Sequence, residues 1–345
     1  MSIQTLLGIA LPVIQAPMAG VQDSTLAIAV SNAGGLGSLP CAMLDAQAVR
    51  KQVERLRAGT SRPFNLNFFC HPLPTPDDAR EQAWRALFAR HYAGFGLDIN
   101  APSTAPARLP FNDEMAALVG EVRPAVVSFH FGLPSPALLQ RVRESGARIL
   151  ASATTVDEAR WLEAQGVDAI IAQGSEAGGH RGLFLSEDLD TQLGTFALVP
   201  QVVRALRLPV IAAGGIADAH GVRAALALGA AGVQVGTSYL LCPEASTSAV
   251  HRAALKGGAA RHTALTNLFS GRPARGIVNR LMRELGPINP LAPAFPLAAA
   301  VLAPLRARAE SLGSDDFSPL WAGQNVSGCR EIPAAELTRE LARLL

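Results

Sequence analysis

His180 follows Gly178 and Gly179 in "AQGSEAGGHRG" (172–182), just past the apolar run "GVDAIIA". The loop is too rich in glycine to continue a strand. A histidine there, with an ordinary pKa of ~6.5, can take a proton from a carbon acid near neutral pH or hydrogen-bond an anion. Met18, Asn67, His130 and Gln173 stand at or just past the ends of other apolar runs. Asn67 and Gln173 both donate and accept hydrogen bonds, which suits the mixed N–H and C=O edge of a neutral heterocycle better than a metal. "AAGGIAD" (212–218) and "QVGTS" (234–238) end two more runs in glycine. Backbone N–H groups at Gly215 and Gly236-Thr237 can approach an anion closely there, so a phosphate is expected. Flavin mononucleotide (FMN) would supply both the phosphate and the heterocyclic edge.

The residue inventory removes other chemistries. Lys51 lies in a helical pattern and Lys256 far from any strand end, so a Schiff-base lysine is missing from the rim. No H-x-H pair suggests a metal centre, and none is expected. Cys41, Cys70, Cys242 and Cys329 form no C-x-x-C pair and read as reduced thiols of a cytoplasmic protein. A net charge of +2 from 30 basic and 28 acidic residues gives no basic stripe for nucleic acid. No apolar run approaches the ~20 residues that would cross a bilayer, so no membrane partner is expected. The N-terminal "MSIQTLLGIALPVIQAPM" reads as a first strand rather than a leader.

These residues need a frame that brings strand ends together. Eight short apolar runs, 12–18, 35–40, 64–69, 125–132, 148–154, 168–174, 209–215 and 232–238, alternate with stretches such as "TVDEARWLEAQ" (155–165) whose apolar residues recur at helical spacing. Gly146, Gly166 and Gly229 each stand where a helix ends and a strand follows. Runs buried on both faces mean parallel strands, and eight of them fit a closed (β/α)8 TIM barrel, with an open doubly wound sheet as the alternative. The pattern breaks after Leu241. Residues 243–315 show no clear strand and read as a helical insertion over the barrel mouth, leaving 1–242 and 316–345 to the barrel. The stretch 70–123 is longer than one helix needs and is expected to hold an extra excursion.

"IQAPMAG" (14–20), "FNLNFF" (64–69), "AQGSEAGGHRG" (172–182), "IAAGGI" (211–216), "VQVGTSYL" (233–240) and "LWAGQNVS" (320–327) together resemble the nitronate monooxygenases, in family order across nearly the whole chain. "SGRPARGIVNR" (270–280) resembles their insertion. The resemblance implies an FMN-binding TIM barrel with a smaller helical domain. It implies flavin contacts from Met18, Asn67, Gln173, Gly178, Gly179, Gly215, Gln234, Val235, Gly236 and Thr237, with Gly323 and Gln324 near the cofactor. His180 matches the active-site histidine. The implied reaction is oxidation of an alkyl nitronate, such as propionate 3-nitronate, or a nitroalkane, with O2 to a carbonyl compound and nitrite. The glycine and histidine loop is shared with FMN-dependent enoyl-ACP and NADH:quinone reductases, so an NAD(P)H-dependent reductase is the alternative. A homodimer stays open. His130 is balanced between substrate contact and a hydrogen-bonded core histidine. Arg272 and Arg275 are read as facing an anionic substrate from the lid or, with more weight, as pairing with surface carboxylates. Glu176 is expected to order the loop and Trp321 to fill space beneath the insertion.

Overall fold

The structure, a computed structural model, describes residues 2–101 and 108–345. Eleven strands occur among them: β1 (Val13–Gln15), β2 (Gly37–Pro40), β3 (Phe64–Phe69), β4 (Val126–His130), β5 (Arg148–Ala153), β6 (Ala169–Gln173), β7 (Gly179–His180), β8 (Val210–Ala213), β9 (Gly232–Val235), β10 (Thr263–Thr266) and β11 (Ala274–Ile277). Eight of these pair in parallel in the order β1-β9-β8-β6-β5-β4-β3-β2. A parallel bridge from Ile14 to Leu36 joins the two outermost strands, with Gln15 N–H donating to the Leu36 carbonyl at 2.9 Å. The sheet is therefore a closed (β/α)8 barrel, not an open doubly wound one.

Alternation along each strand sorts its residues between two cores. Val13, Leu39, Leu66, Val127, Ile149, Ile170 and Val233 point outward into the layer shared with the helices. Ile14, Leu36, Val126, Leu150, Ile171 and Ile211 point inward and meet Ile3, Leu6 and Leu7. Those last residues belong to a short helix, Ile3–Leu7, capped by Ser2 and ended by Gly8 at φ 69°. The expected N-terminal strand thus begins only at Val13. The residues before it plug the barrel, because i, i+3 and i+4 spacing puts three apolar side chains on one helical face. Gly146, Gly166 and Gly229 all have positive φ, at 85°, 76° and 98°, and end their helices as the repeated junction predicts. Asp45, Ser135, Thr155 and Asp218 cap the N-termini of barrel helices with their side chains.

The segment 243–315 departs from the helical expectation. It contains β10 and β11, which pair antiparallel, and β11 pairs in turn with β7, Ala274 opposite His180 and Arg275 opposite Gly179. "TALT" and "ARGI" carry no alternating pattern, so their pairing with each other, and that of "ARGI" with a two-residue strand of the barrel's own loop, has no local signal. The excursion after β3 also turns out to belong to this region. Trp84, Phe88 and Tyr92 share a core with Leu268, Phe269, Met282, Leu302 and Phe317. The Tyr92 hydroxyl donates to the Val301 carbonyl at 2.7 Å, and the Trp84 indole N–H donates to that of Ala298 at 3.3 Å. The cap over the barrel is built from two distant pieces of chain.

Candidate active site

A cavity opens at the C-terminal ends of the strands, under the cap. Asn67, Ser128, His130, Ser152, Gln173 and Gln234 reach it from β3, β4, β5, β6 and β9. Met18, Gly178, Gly179, His180, Gly215, Val235, Gly236, Thr237 and Gly323 also line it. Gln324 does not; its side chain is exposed and its N–H donates to the Glu176 carbonyl at 3.0 Å. Arg272 does not either. Its guanidinium donates to the Leu183 carbonyl at 2.7 Å and lies 4.3 Å from the centre of the Phe131 ring.

The loop that carries His180 is fixed from three sides. Gln173 Nε2 donates to the His180 carbonyl at 2.9 Å, and its Oε1 accepts from Gly182 N–H at 2.8 Å, so the amide spans the loop. His130 Nε2 donates to the same carbonyl at 3.1 Å while its Nδ1 meets the Ser152 hydroxyl at 3.1 Å. Both ring nitrogens of His130 are committed, and burial pushes its pKa down to about 4. His130 is therefore a neutral positioning residue. Arg181, fully buried, donates to the Gly174 and Gln173 carbonyls at 2.6 and 2.7 Å and to Gln192 at 3.0 Å, closing off the end of β6. Burial pulls its pKa down to about 10, which still leaves it charged at neutral pH. Glu176 orders the loop as expected, accepting from Thr195 N–H and hydroxyl at 2.8 and 2.9 Å. A side chain on Gly178 would collide with Gly323 N at 2.5 Å, so this glycine lets two backbones touch.

The His180 ring is enclosed by Phe69, Phe131, Phe295 and Trp321, with ring centres 5.4 to 6.1 Å away. Trp321 packs beneath the cap as expected, with its ring centre 5.7 Å from that of Phe269, and its other face is a wall of the cavity. His180 Nε2 lies 2.8 Å from Ser270 Oγ. The Ser270 oxygen also lies 3.3 Å from the Arg272 carbonyl, so Ser270 can donate there while accepting the proton of a His180 ring protonated on Nε2. That tautomer leaves Nδ1 as the basic atom. Burial first, then the charge of Arg108, holds the His180 pKa well below its ordinary value, so the ring is neutral at pH 7.

Across the cavity the chemistry is carried by backbone. Among the described residues, no protein group accepts from the N–H of Gly215, Gly236 or Thr237 at the ends of β8 and β9. Gly215 needs its glycine, at φ 74°, to turn there. The Thr237 hydroxyl accepts from Gly323 N–H at 3.0 Å and ties the C-terminal segment to this wall. Gln234 Oε1 is buried without a hydrogen-bond partner, and the Asn67 amide donates to Ser128 Oγ at 2.9 Å while its Oδ1 has no protein donor among the described residues. Three free N–H donors with the unpartnered Gln234 oxygen on the same side, and the Asn67 amide on β3 across the cavity, fit a phosphate and the donor edge of a heterocycle.

Other readings of the sequence change. Arg275 donates to the Ser175 carbonyl at 2.7 Å, so neither it nor Arg272 pairs with a surface carboxylate; both spend their charge on loop carbonyls inside the cap. Sequence reasoning missed Ser128 and Ser152, although a lone polar residue in an apolar run was a usable signal. Arg108, His251 and Ser270 carried none, because each stands in a segment whose position depends on the cap. Among the described residues no His, Cys, Asp and Glu group could hold a metal ion, and no helix is long and apolar enough to cross a membrane.

Fold and cavity together define a (β/α)8 barrel with free backbone N–H groups at the ends of β8 and β9 and a histidine loop after β6. The chain belongs to the nitronate monooxygenase family, whose model matches residues 2–343. It is 46% identical to a nitronate monooxygenase of Paraburkholderia phytofirmans, over 99% of this chain and 93% of that one. It is 45% identical to one of Pseudomonas aeruginosa, over 99% and 97%. Its fold is similar to that of a nitroalkane oxidase from Streptomyces ansochromogenes, with TM-score 0.90, 39% identity and coverage of 99% and 97%. FabK from Thermotoga maritima is similar at TM-score 0.71, 27% identity and coverage of 99% and 95%. Membership implies a flavin cofactor and oxidoreductase activity.

Proposed function

We propose that this protein is an FMN-dependent nitronate monooxygenase that oxidises alkyl nitronates, propionate 3-nitronate among them, and nitroalkanes, with O2 to a carbonyl compound and nitrite. The observation that carries the reading is the pairing, in one cavity, of the His180 loop with the free N–H groups of Gly215, Gly236 and Thr237. Those N–H groups would hold the FMN phosphate. Met18, Asn67, Gly178, Gly179, Gln234, Val235 and Gly323 would line the rest of its site. Gln173 serves it through the loop that its amide braces. When bound, FMN supplies the electron acceptor and the chemistry with O2.

The protein's own part is positioning and proton transfer. A neutral nitroalkane gives its carbon-bound proton to His180 Nδ1, while Ser270 holds Nε2 and fixes the tautomer. A nitronate, already deprotonated, needs only orientation by the same ring. Phe69, Phe131, Phe295 and Trp321 keep water from the reacting carbon. The reading includes a cytosolic setting for the four free thiols, with a homodimer as the assembly to be measured and residues 243–315 acting as the lid.

The likeness to FabK favours one alternative, an NAD(P)H-dependent flavin reductase. Anaerobic mixing separates the two. Bleaching of the yellow holoenzyme by a nitronate alone, with nitrite released in air, supports the oxygenase. Rapid bleaching by NADH with no response to nitronates would overturn it.

A further inference from the structure

Arg108 is the one lysine or arginine on the cavity wall, and its guanidinium has no hydrogen bond or ion pair among the described residues. Its protein neighbour is the face of Phe295, 5.9 Å from the guanidinium carbon, and Phe295 in turn packs 5.4 Å from the His180 ring. Among the described residues Glu176 is the cavity's only carboxylate and is already held by Thr195, so none of them in the wall neutralises this cation. A half-buried charge without a partner is costly, and the guanidinium cannot shed its proton to escape that cost.

The cofactor phosphate is not the missing partner. Arg108 lies after β3, whereas the free N–H cradle lies at β8 and β9. In the ring of eight, β4, β5 and β6 separate β3 from β8 on one side, and β2, β1 and β9 on the other. Arg108 and the end of β8 therefore face each other across the full width of the barrel. The group that meets Arg108 enters on the His180 side.

We infer that Arg108 binds a planar two-oxygen anion of the substrate and so sets the preference for ionised nitronates over neutral nitroalkanes; this rests on the function proposed above. Its flat fork of N–H donors matches a planar pair of oxygens two at a time. The same cation makes a protonated His180 unfavourable, which penalises the route that must store a proton there and leaves the pre-ionised substrate unaffected. A nitronate and a carboxylate share this chemistry, and the test separates them.

The holoenzyme, R108Q and R108K are compared by kcat/KM on ethyl nitronate, on the nitronate of 3-nitropropionate and on nitroethane, with flavin content read from absorbance. R108Q is expected to lose ~10- to 100-fold on nitronates and distinctly less on nitroethane, with R108K recovering part of the loss. Loss on both nitronates identifies the nitronate oxygens as the partner, and loss confined to the carboxylated one identifies the carboxylate; either supports the anion assignment. Equal losses on all three substrates, or none, would overturn it. Inorganic nitrate, titrated anaerobically against the flavin spectrum, gives a readout without turnover. Its binding should weaken at least ~10-fold in R108Q, and unchanged or absent nitrate binding overturns the assignment. Should wild type oxidise no nitronate, the proposed function fails by itself, and the nitrate titration still judges Arg108.

Discussion

The two walls of the cavity are built in opposite ways. On the β8 and β9 side the groups open to a ligand are backbone N–H groups of Gly215, Gly236 and Thr237, each delivered by the turn that ends its own strand. On the β3, β4 and β6 side they are side chains, His180, Ser270, Arg108, Phe295 and Trp321, drawn from segments as far apart as Arg108 and Trp321 and held by the cap. A backbone cradle is fixed once the strand and its glycine are fixed. A side-chain wall is fixed only when every supporting contact is made, and so it can be tuned for substrate without disturbing the anchor.

If the walls are independent, breaking one should spare the other. His180→Asn removes the base from the side-chain wall. Nitrite release from a neutral nitroalkane should fall ~10²- to 10⁴-fold, that from a nitronate far less, and flavin should stay bound. Full turnover of the nitroalkane by this variant would remove His180 from the mechanism. Gly215→Val attacks the cradle. At φ 74° an L residue is strained by about 1–2 kcal/mol, so flavin affinity should drop at least ~10-fold while far-ultraviolet circular dichroism stays unchanged. Tight flavin retention there would detach the phosphate from β8.

The wall of side chains also carries a pH liability that the cradle lacks. Burial pushes His71, His130 and His251 down to about 4, whereas the unfolded chain protonates near the ordinary 6.5. Their folded pKa values are depressed, so the unfolded chain binds more protons in between. Stability should be flat above pH 7 and fall as pH drops from about 6.5 to about 4, read as a declining Tm. A level Tm across that window would mean these rings are not buried neutral. The smallest effect concerns Ser270→Ala, which frees the His180 tautomer. Activity on nitroalkanes should fall only ~2- to 10-fold, and a steeper loss than from His180→Asn would reverse their roles.

The barrel itself was legible. All eight apolar runs became its strands, the glycines at 146, 166 and 229 ended helices, and the two glycine turns carry N–H groups with no acceptor among the described residues. These signals are local, because strand burial, helix periodicity and positive φ are each set by a few neighbouring residues. The N-terminal plug was misread because a stretch of five residues with three apolar side chains is too short to separate a strand from a helix. The strands β10 and β11, and the cavity roles of Trp321 and Arg108, depend on pairing with β7 and on two cap pieces meeting, which no window of sequence contains.

By itself, then, the sequence determined the closed parallel barrel, the two glycine turns at the ends of β8 and β9 and the place of His180 beyond β6, since repeated periodicity and glycine placement leave few alternatives. Tertiary structure alone decided that His130 braces a carbonyl, that Arg272 and Arg275 serve the loop, and that Arg108 faces the cavity without a hydrogen-bond or ion-pair partner for its guanidinium among the described residues. A side chain's role follows from the groups within a few ångströms of it, and in this protein those groups come from the far side of the chain.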